Sequence, residues 1–131
     1  MGERGSTSLE AVLLVPVLIV VLGITLGLGR VVAGRNDADD AAREAARAAS
    51  LTRSAADAGA AASGAAARRL AADESVCRDP AIETDTTGFH PGGTVAVSVT
   101  CSVDLAGTHL PARARVMARS VQPLDPFRGL Q

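Results

Sequence analysis

Hydrophobic side chains fall into three unlike patterns along the chain. Between Glu10 and Arg30 lie nineteen uncharged residues, AVLLVPVLIVVLGITLGLG. At 1.5 Å per residue the run spans about 28 Å, close to the roughly 30 Å hydrocarbon core of a bilayer, and it predicts a transmembrane helix. A buried core helix is the alternative, but no other stretch is apolar enough to cover it. Pro16 would kink a helix in water and is tolerated in a membrane one. Gly23 and Gly27 form a GxxxG spacing, which permits close contact with a neighbouring helix.

The second pattern is alanine. Asn36–Ala72 is half alanine, 18 of 37 residues, with Leu51 and Leu70 its only large aliphatics. Alanine is the best helix former, and Asp39/Arg43, Asp40/Arg43 and Glu44/Arg47 are spaced to pair along a helix surface. Ala38, Ala41, Ala42, Ala45, Ala48 and Ala49 make a smooth stripe suited to a closely packed neighbour. Gly59 and Gly64 weaken the later part, where a break or a frayed low-complexity spacer over residues 55–67 competes with the helix. Unbroken from Glu10 to Ala72, the helix would reach about 95 Å.

The third pattern is alternation. In Thr94–Leu105, TVAVSVTCSVDL, Val95, Val97, Val99, Cys101, Val103 and Leu105 share one face and polar or small residues the other, which predicts a half-buried strand. Gly88–Gly93 supplies a turn before it, and Ala81–Thr86 is a candidate partner strand. In Pro111–Gln122, Ala112, Ala114, Val116 and Ala118 alternate with Arg113, Arg115, Met117 and Arg119. The expectation is a three-stranded antiparallel meander, covered on its apolar face by the end of the helix.

Composition explains why the patterns are so separate. The 131 residues include 26 Ala, two Phe, no Tyr and no Trp, and 13 Val, Leu and Ile are concentrated in Ala11–Gly29. Burial outside that segment supports only a small module, which excludes a large enzyme core. All 13 basic residues are Arg. Residues 1–72 carry 8 Arg against 7 acids and residues 73–131 carry 5 against 7, so neither half has the basic footprint of a nucleic-acid binder.

Candidate chemistry is sparse. Cys77 and Cys101 suit a cross-strand disulfide, which closes a 25-residue loop and stabilises a small module by about 3.5 kcal/mol on a chain-entropy estimate. Two buried free thiols are the alternative. With His90 and His109 the cysteines lack the short paired spacings of a zinc site, and no metal or cofactor is expected. Ser98, His109 and Asp104 supply the residue types of a hydrolytic triad without a nucleophile elbow or an oxyanion loop. No phosphate-binding loop or paired-carboxylate motif is present, so the chain reads as non-enzymatic, with no small-molecule substrate.

Membrane topology has competing signals. Arg30, Arg35, Arg43 and Arg47 outnumber Arg4, and counting them places the C-terminus in the cytoplasm. A disulfide belongs to an oxidising compartment and places it outside. A signal peptide cut after Val31-Val32-Ala33 is a third reading, although the apolar run exceeds the usual 7–15 residues and Glu10 stands at its edge.

Several of these elements in combination resemble TadE-like proteins, minor pilins or pseudopilins of the tight-adherence, Flp-type pilus. The resemblance runs over about residues 4–50: Arg4-Gly5, Glu10, Pro16, Gly29-Arg30 and the helix Ala42-Arg-Glu-Ala-Ala-Arg-Ala-Ala49. It implies a type IV pilin-like α+β fold, a long N-terminal helix followed by the small three-stranded sheet. It divides the chain into a prepilin-like leader (1–5), transmembrane helix (6–29), extracytoplasmic Ala-rich stalk (30–75), β module (76–122) and tail (123–131). It further implies that a prepilin peptidase cuts between Gly5 and Ser6, making Glu10 the fifth residue of the mature chain. A carboxylate at the edge of hydrocarbon is costly, and the α-amine of an adjacent subunit is the partner the resemblance implies, unless Glu10 simply meets interfacial water. The expected partners are the membrane, other pilins or pseudopilins, the assembly platform and the peptidase. The expected location is the cytoplasmic (inner) membrane, single-pass, with the N-terminus cytoplasmic and the C-terminal module outside. A membrane-tethered or secreted small binding domain is the alternative.

Overall fold

The computed structural model describes residues 4–72, 74–127 and 129, which form two helices followed by one sheet. Helix α1 (Arg4–Ser50) runs 47 residues, about 70 Å, and contains Pro16. It joins the membrane-length apolar run to the first half of the alanine segment without interruption.

The alanine segment is a hairpin of helices, not one stalk. After Ser50 the chain turns, and α2 (Ala55–Leu70) packs back along α1. Its antiparallel course is shown by Arg69, near its end, pairing at 2.9 Å with Asp40, ten residues before the end of α1. Two caps make the turn. Ser50 and Thr52 hydroxyls donate to the Arg47 and Ala49 carbonyls, both at 2.8 Å, closing the end of α1. Ser54 takes an extended backbone (φ −133°, ψ 152°) and its Oγ accepts the Asp57 N–H at 3.1 Å while donating to the Asp57 carboxylate at 2.7 Å. Ser54 is thus the N-cap of α2, with an acid, Asp57, in its first turn, and it starts a new helix where uniform helix propensity alone would continue the old one.

Strands β1 (Cys77–Asp85), β2 (Thr94–Asp104) and β3 (Arg113–Pro123) form the expected antiparallel meander in the order β1-β2-β3. The first strand begins at Cys77, earlier than Ala81, because a bulge between Arg78 and Ala81 absorbs Asp79 (φ 49°) and Pro80. Val95, Val97, Val99, Cys101 and Val103 face inward as their alternation predicts, joined by Val116 and Ala118 of β3.

The core lies between this face and the helices. Ala38, Ala41, Ala42, Ala45, Ala46 and Ala49 of α1 are buried, as are Ala58, Ala62, Ala65 and Ala66 of α2. Ala46 rather than Ala48 completes the buried stripe, since α1 meets both α2 and the sheet and needs a wider smooth surface than one neighbour would. Gly34 marks the closest approach: a methyl group there would overlap the Val103 side chain. Asp37 fastens the linker into β1, its Oδ2 accepting the Val76 N–H at 2.9 Å and the Ser75 hydroxyl at 3.2 Å.

Candidate functional site

The candidate site is the surface of α1. From Leu9 to Leu22 every residue is exposed, including Leu9, Val12, Leu13, Leu14, Val17, Leu18 and Ile19. These fourteen residues form an apolar cylinder about 21 Å long that no other part of the chain covers. Exposed apolar surface on this scale requires an apolar environment, and α1 is the one helix among the described residues long and apolar enough to cross a membrane.

Glu10 stands near the start of this cylinder, exposed, its carboxylate without a hydrogen bond or ion pair among the described side chains. Gly5 and Ser6 lie in the first turns of α1; the rest of the expected leader, Met1–Glu3, lies outside the described residues.

Gly23 and Gly27 are in contact with the chain's own β2–β3 loop, Leu105–Ala112. A methyl group on Gly23 would come within 2.6 Å of His109 Cδ2, and one on Gly27 would overlap Leu110 and approach Thr108 Oγ1 to 3.1 Å. Arg30, one turn on, donates from Nη1 to the Ala106 carbonyl at 3.0 Å. The two glycines begin the same smooth line that continues through Gly34, Ala38, Ala41 and Ala45. Nothing in the GxxxG spacing distinguishes a loop from a neighbouring helix as the element that fills it.

Cys77 and Cys101 form a disulfide with their Cα atoms 5.5 Å apart, tying the start of β1 to the middle of β2. His90 lies in the β1–β2 turn with Nδ1 3.2 Å from the Pro91 carbonyl oxygen, well apart in the fold from His109 at the helix. Among the described residues no group of three or more His, Cys, Asp or Glu is placed to hold a metal. Ser98 and Asp104 are six positions apart on β2, about 20 Å, so no triad assembles with His109. Asp104 instead accepts the Ala106 N–H at 2.8 Å.

The outer face of the sheet is charged in rows. Asp79, Glu83 and Asp85 lie along β1, Ser98, Thr100 and Ser102 along β2, and Arg113, Arg115 and Arg119 along β3. Arg119 reaches over the small Ala96 and Ser98 positions to Asp85 (3.5 Å), and Arg113 lies 4.0 Å from Asp79. Asp85 also accepts the Thr87 hydroxyl at 2.7 Å and the Thr87 N–H at 3.0 Å. These bonds from Thr87, with Arg119 adding a smaller share, hold the Asp85 carboxyl below its ordinary pKa. Between α1 and α2 an open hollow of about 360 Å³ is lined by Asp40, Arg43, Glu44, Arg47, Arg69 and Gln122, a hydrated charged surface rather than an enclosed site.

No curated protein and no solved structure is detectably similar to the chain. Residues 5–47 match the family model of TadE-like protein, so the apolar length of α1 and its first alanine turns are similar to that family, which fits a membrane protein related to the tight-adherence pilus.

Proposed function

We propose that this chain is a single-pass minor pilin or pseudopilin of the tight-adherence, Flp-type pilus system, with its N-terminus in the cytoplasm and the helical hairpin and sheet outside. It acts as a structural, non-enzymatic component. The observation that carries the reading is the bare apolar cylinder Leu9–Leu22 within a segment that matches TadE-like proteins. The Cys77–Cys101 disulfide supports an oxidising compartment for the sheet, against the orientation suggested by Arg30, Arg35, Arg43 and Arg47.

In this reading a prepilin peptidase cuts between Gly5 and Ser6, and Glu10 pairs with the freed α-amine of a neighbouring subunit. The Glu10 carboxylate has no partner among the described side chains of its own chain, which leaves it available for one. Gly23 and Gly27, expected as assembly positions, are instead filled by the chain's own β2–β3 loop, and the assembly platform and other pilins are the remaining partners. A signal-peptide cut after Ala33 would discard Gly23, Gly27 and Arg30, on which the β2–β3 loop rests. Sequencing the mature N-terminus from cells that make the pilus tests the proposal. A start at Ser6, blocked when the peptidase is absent, is the expected result; a start at Gly34 overturns it.

A further inference from the structure

The β2–β3 loop lies lower on α1 than the apolar run of the helix allows a water-filled gap to reach. Its residues His109 and Leu110 rest against Gly23 and Gly27, whereas the uncharged run continues to Gly29. Elsewhere around α1 the same turns are still apolar and uncovered: Leu26 is 57% exposed and Leu28 56%, and Val32, higher up, is 60% exposed. Gly23 and Val32 are nine residues apart, about 14 Å along the axis. A bilayer that covers Leu26 and Leu28 and ends at Arg30 therefore comes level with the loop.

The loop is built for such a place. Irregular backbone meets lipid only where its polar groups are satisfied, and much of this loop's backbone is bonded within the chain. Leu105 N–H donates to the Ala112 carbonyl (2.9 Å), Thr108 N–H to the Leu105 carbonyl (3.0 Å) and Ala106 N–H to Asp104, while the Ala106 carbonyl is taken by Arg30. Leu110 and Pro111 add apolar surface, and Arg30 brings a cation to the level of lipid phosphates.

We propose that the loop Leu105–Ala112 is a second membrane-contact element, seated in the headgroup layer of a phospholipid bilayer beside α1. The inference rests on the reading of α1 as a membrane span. It means that the module meets the bilayer at a second place, beside the span.

The chain has no Trp, so single tryptophans report one position each. The full chain is reconstituted into phosphatidylcholine and phosphatidylglycerol vesicles carrying acyl-brominated lipids, with Leu18→Trp marking the span and Met117→Trp, on the outer face of the sheet, marking water. Pro111→Trp and Ala112→Trp probe the loop at exposed positions where the larger ring does not disturb packing. The expected result is blue-shifted emission from both loop probes, quenched most by bromines near the headgroup, while Met117→Trp answers only to aqueous acrylamide. Loop probes that behave like Met117→Trp while Leu18→Trp is quenched overturn the inference and leave the span intact. Absence of quenching at Leu18→Trp overturns the span itself, and the inference with it.

Discussion

Replacing Gly34 by Ala sets two magnitudes against each other. In an exposed helix interior the change gains about 1 kcal/mol, since Ala loses less backbone entropy than Gly. At Gly34 the new methyl overlaps Val103 Cγ2 and lies 3.6 Å from both Val103 Cβ and Val76 Cγ2. Carbon atoms in contact prefer about 3.5–4.0 Å, so Val103 has to retreat by roughly an ångström or more. It is poorly able to do so: it is β-branched, fully buried, and on the central strand between Cys77 and Ala114. Overpacking of this kind costs about 1–3 kcal/mol, and the rigidity of Val103 puts Gly34→Ala in the upper part of that range, for a net loss of about 1–2 kcal/mol. Gly59, in the second turn of α2, is the matched control because a methyl there meets nothing within 4 Å. Gly59→Ala therefore gains about 1 kcal/mol. Denaturant unfolding in detergent micelles, followed by far-UV circular dichroism with the disulfide intact, places the wild-type midpoint between the two variants. A Gly34→Ala protein as stable as Gly59→Ala would refute the close approach of α1 to the sheet.

Three further predictions use the same unfolding assay or NMR. Removing both cysteines, Cys77→Ala with Cys101→Ala, lowers stability by about 3.5 kcal/mol through the freed 25-residue loop, and reduction of the wild type reproduces most of that loss. Ser54→Ala removes the cap that starts α2 and costs about 1 kcal/mol, whereas Ser54→Asp retains most of it. Thr87→Ala removes the hydroxyl bond, the largest cause that lowers the Asp85 pKa, and leaves the backbone N–H bond in place, so the carboxyl titrates at higher pH by NMR. Because the folded pKa is the depressed one, Asp85 contributes stability above its unfolded pKa, and that contribution disappears as pH falls through the folded pKa. The Thr87→Ala variant shows a weaker acid dependence over that window.

The sheet was legible because its inner and outer residues differ so plainly. Six alternating positions in Thr94–Leu105 place β2, and the same alternation carries Val116 and Ala118 of β3 to the buried side. The helical hairpin was not legible from periodicity, since alanine favours helix at every position and carries no contrast from which to read a turn. Its signal was local: Ser54 and Asp57, three residues apart, form the cap that separates α1 from α2. The surface at Gly23 and Gly27 had the opposite difficulty. Two small residues four apart announce a close contact, but whether a helix or the loop at His109 and Leu110 makes it depends on the path of β2 and β3, which local spacing does not contain. Asp37 was equally silent, because its bonds to Ser75 and Val76 span nearly forty residues of sequence.

The bulge at Asp79 and Pro80 and the arginines of β3 together decide how this sheet meets other proteins. A sheet of three strands ends in two open ladders, each a template on which a foreign strand can grow. On β1 the template is interrupted by a proline without an N–H and a residue at φ 49°. On β3 it carries Arg113, Arg115 and Arg119, and it stops at Pro123. Neither ladder invites strand addition, so the sheet is guarded against polymerising edge to edge with a foreign strand.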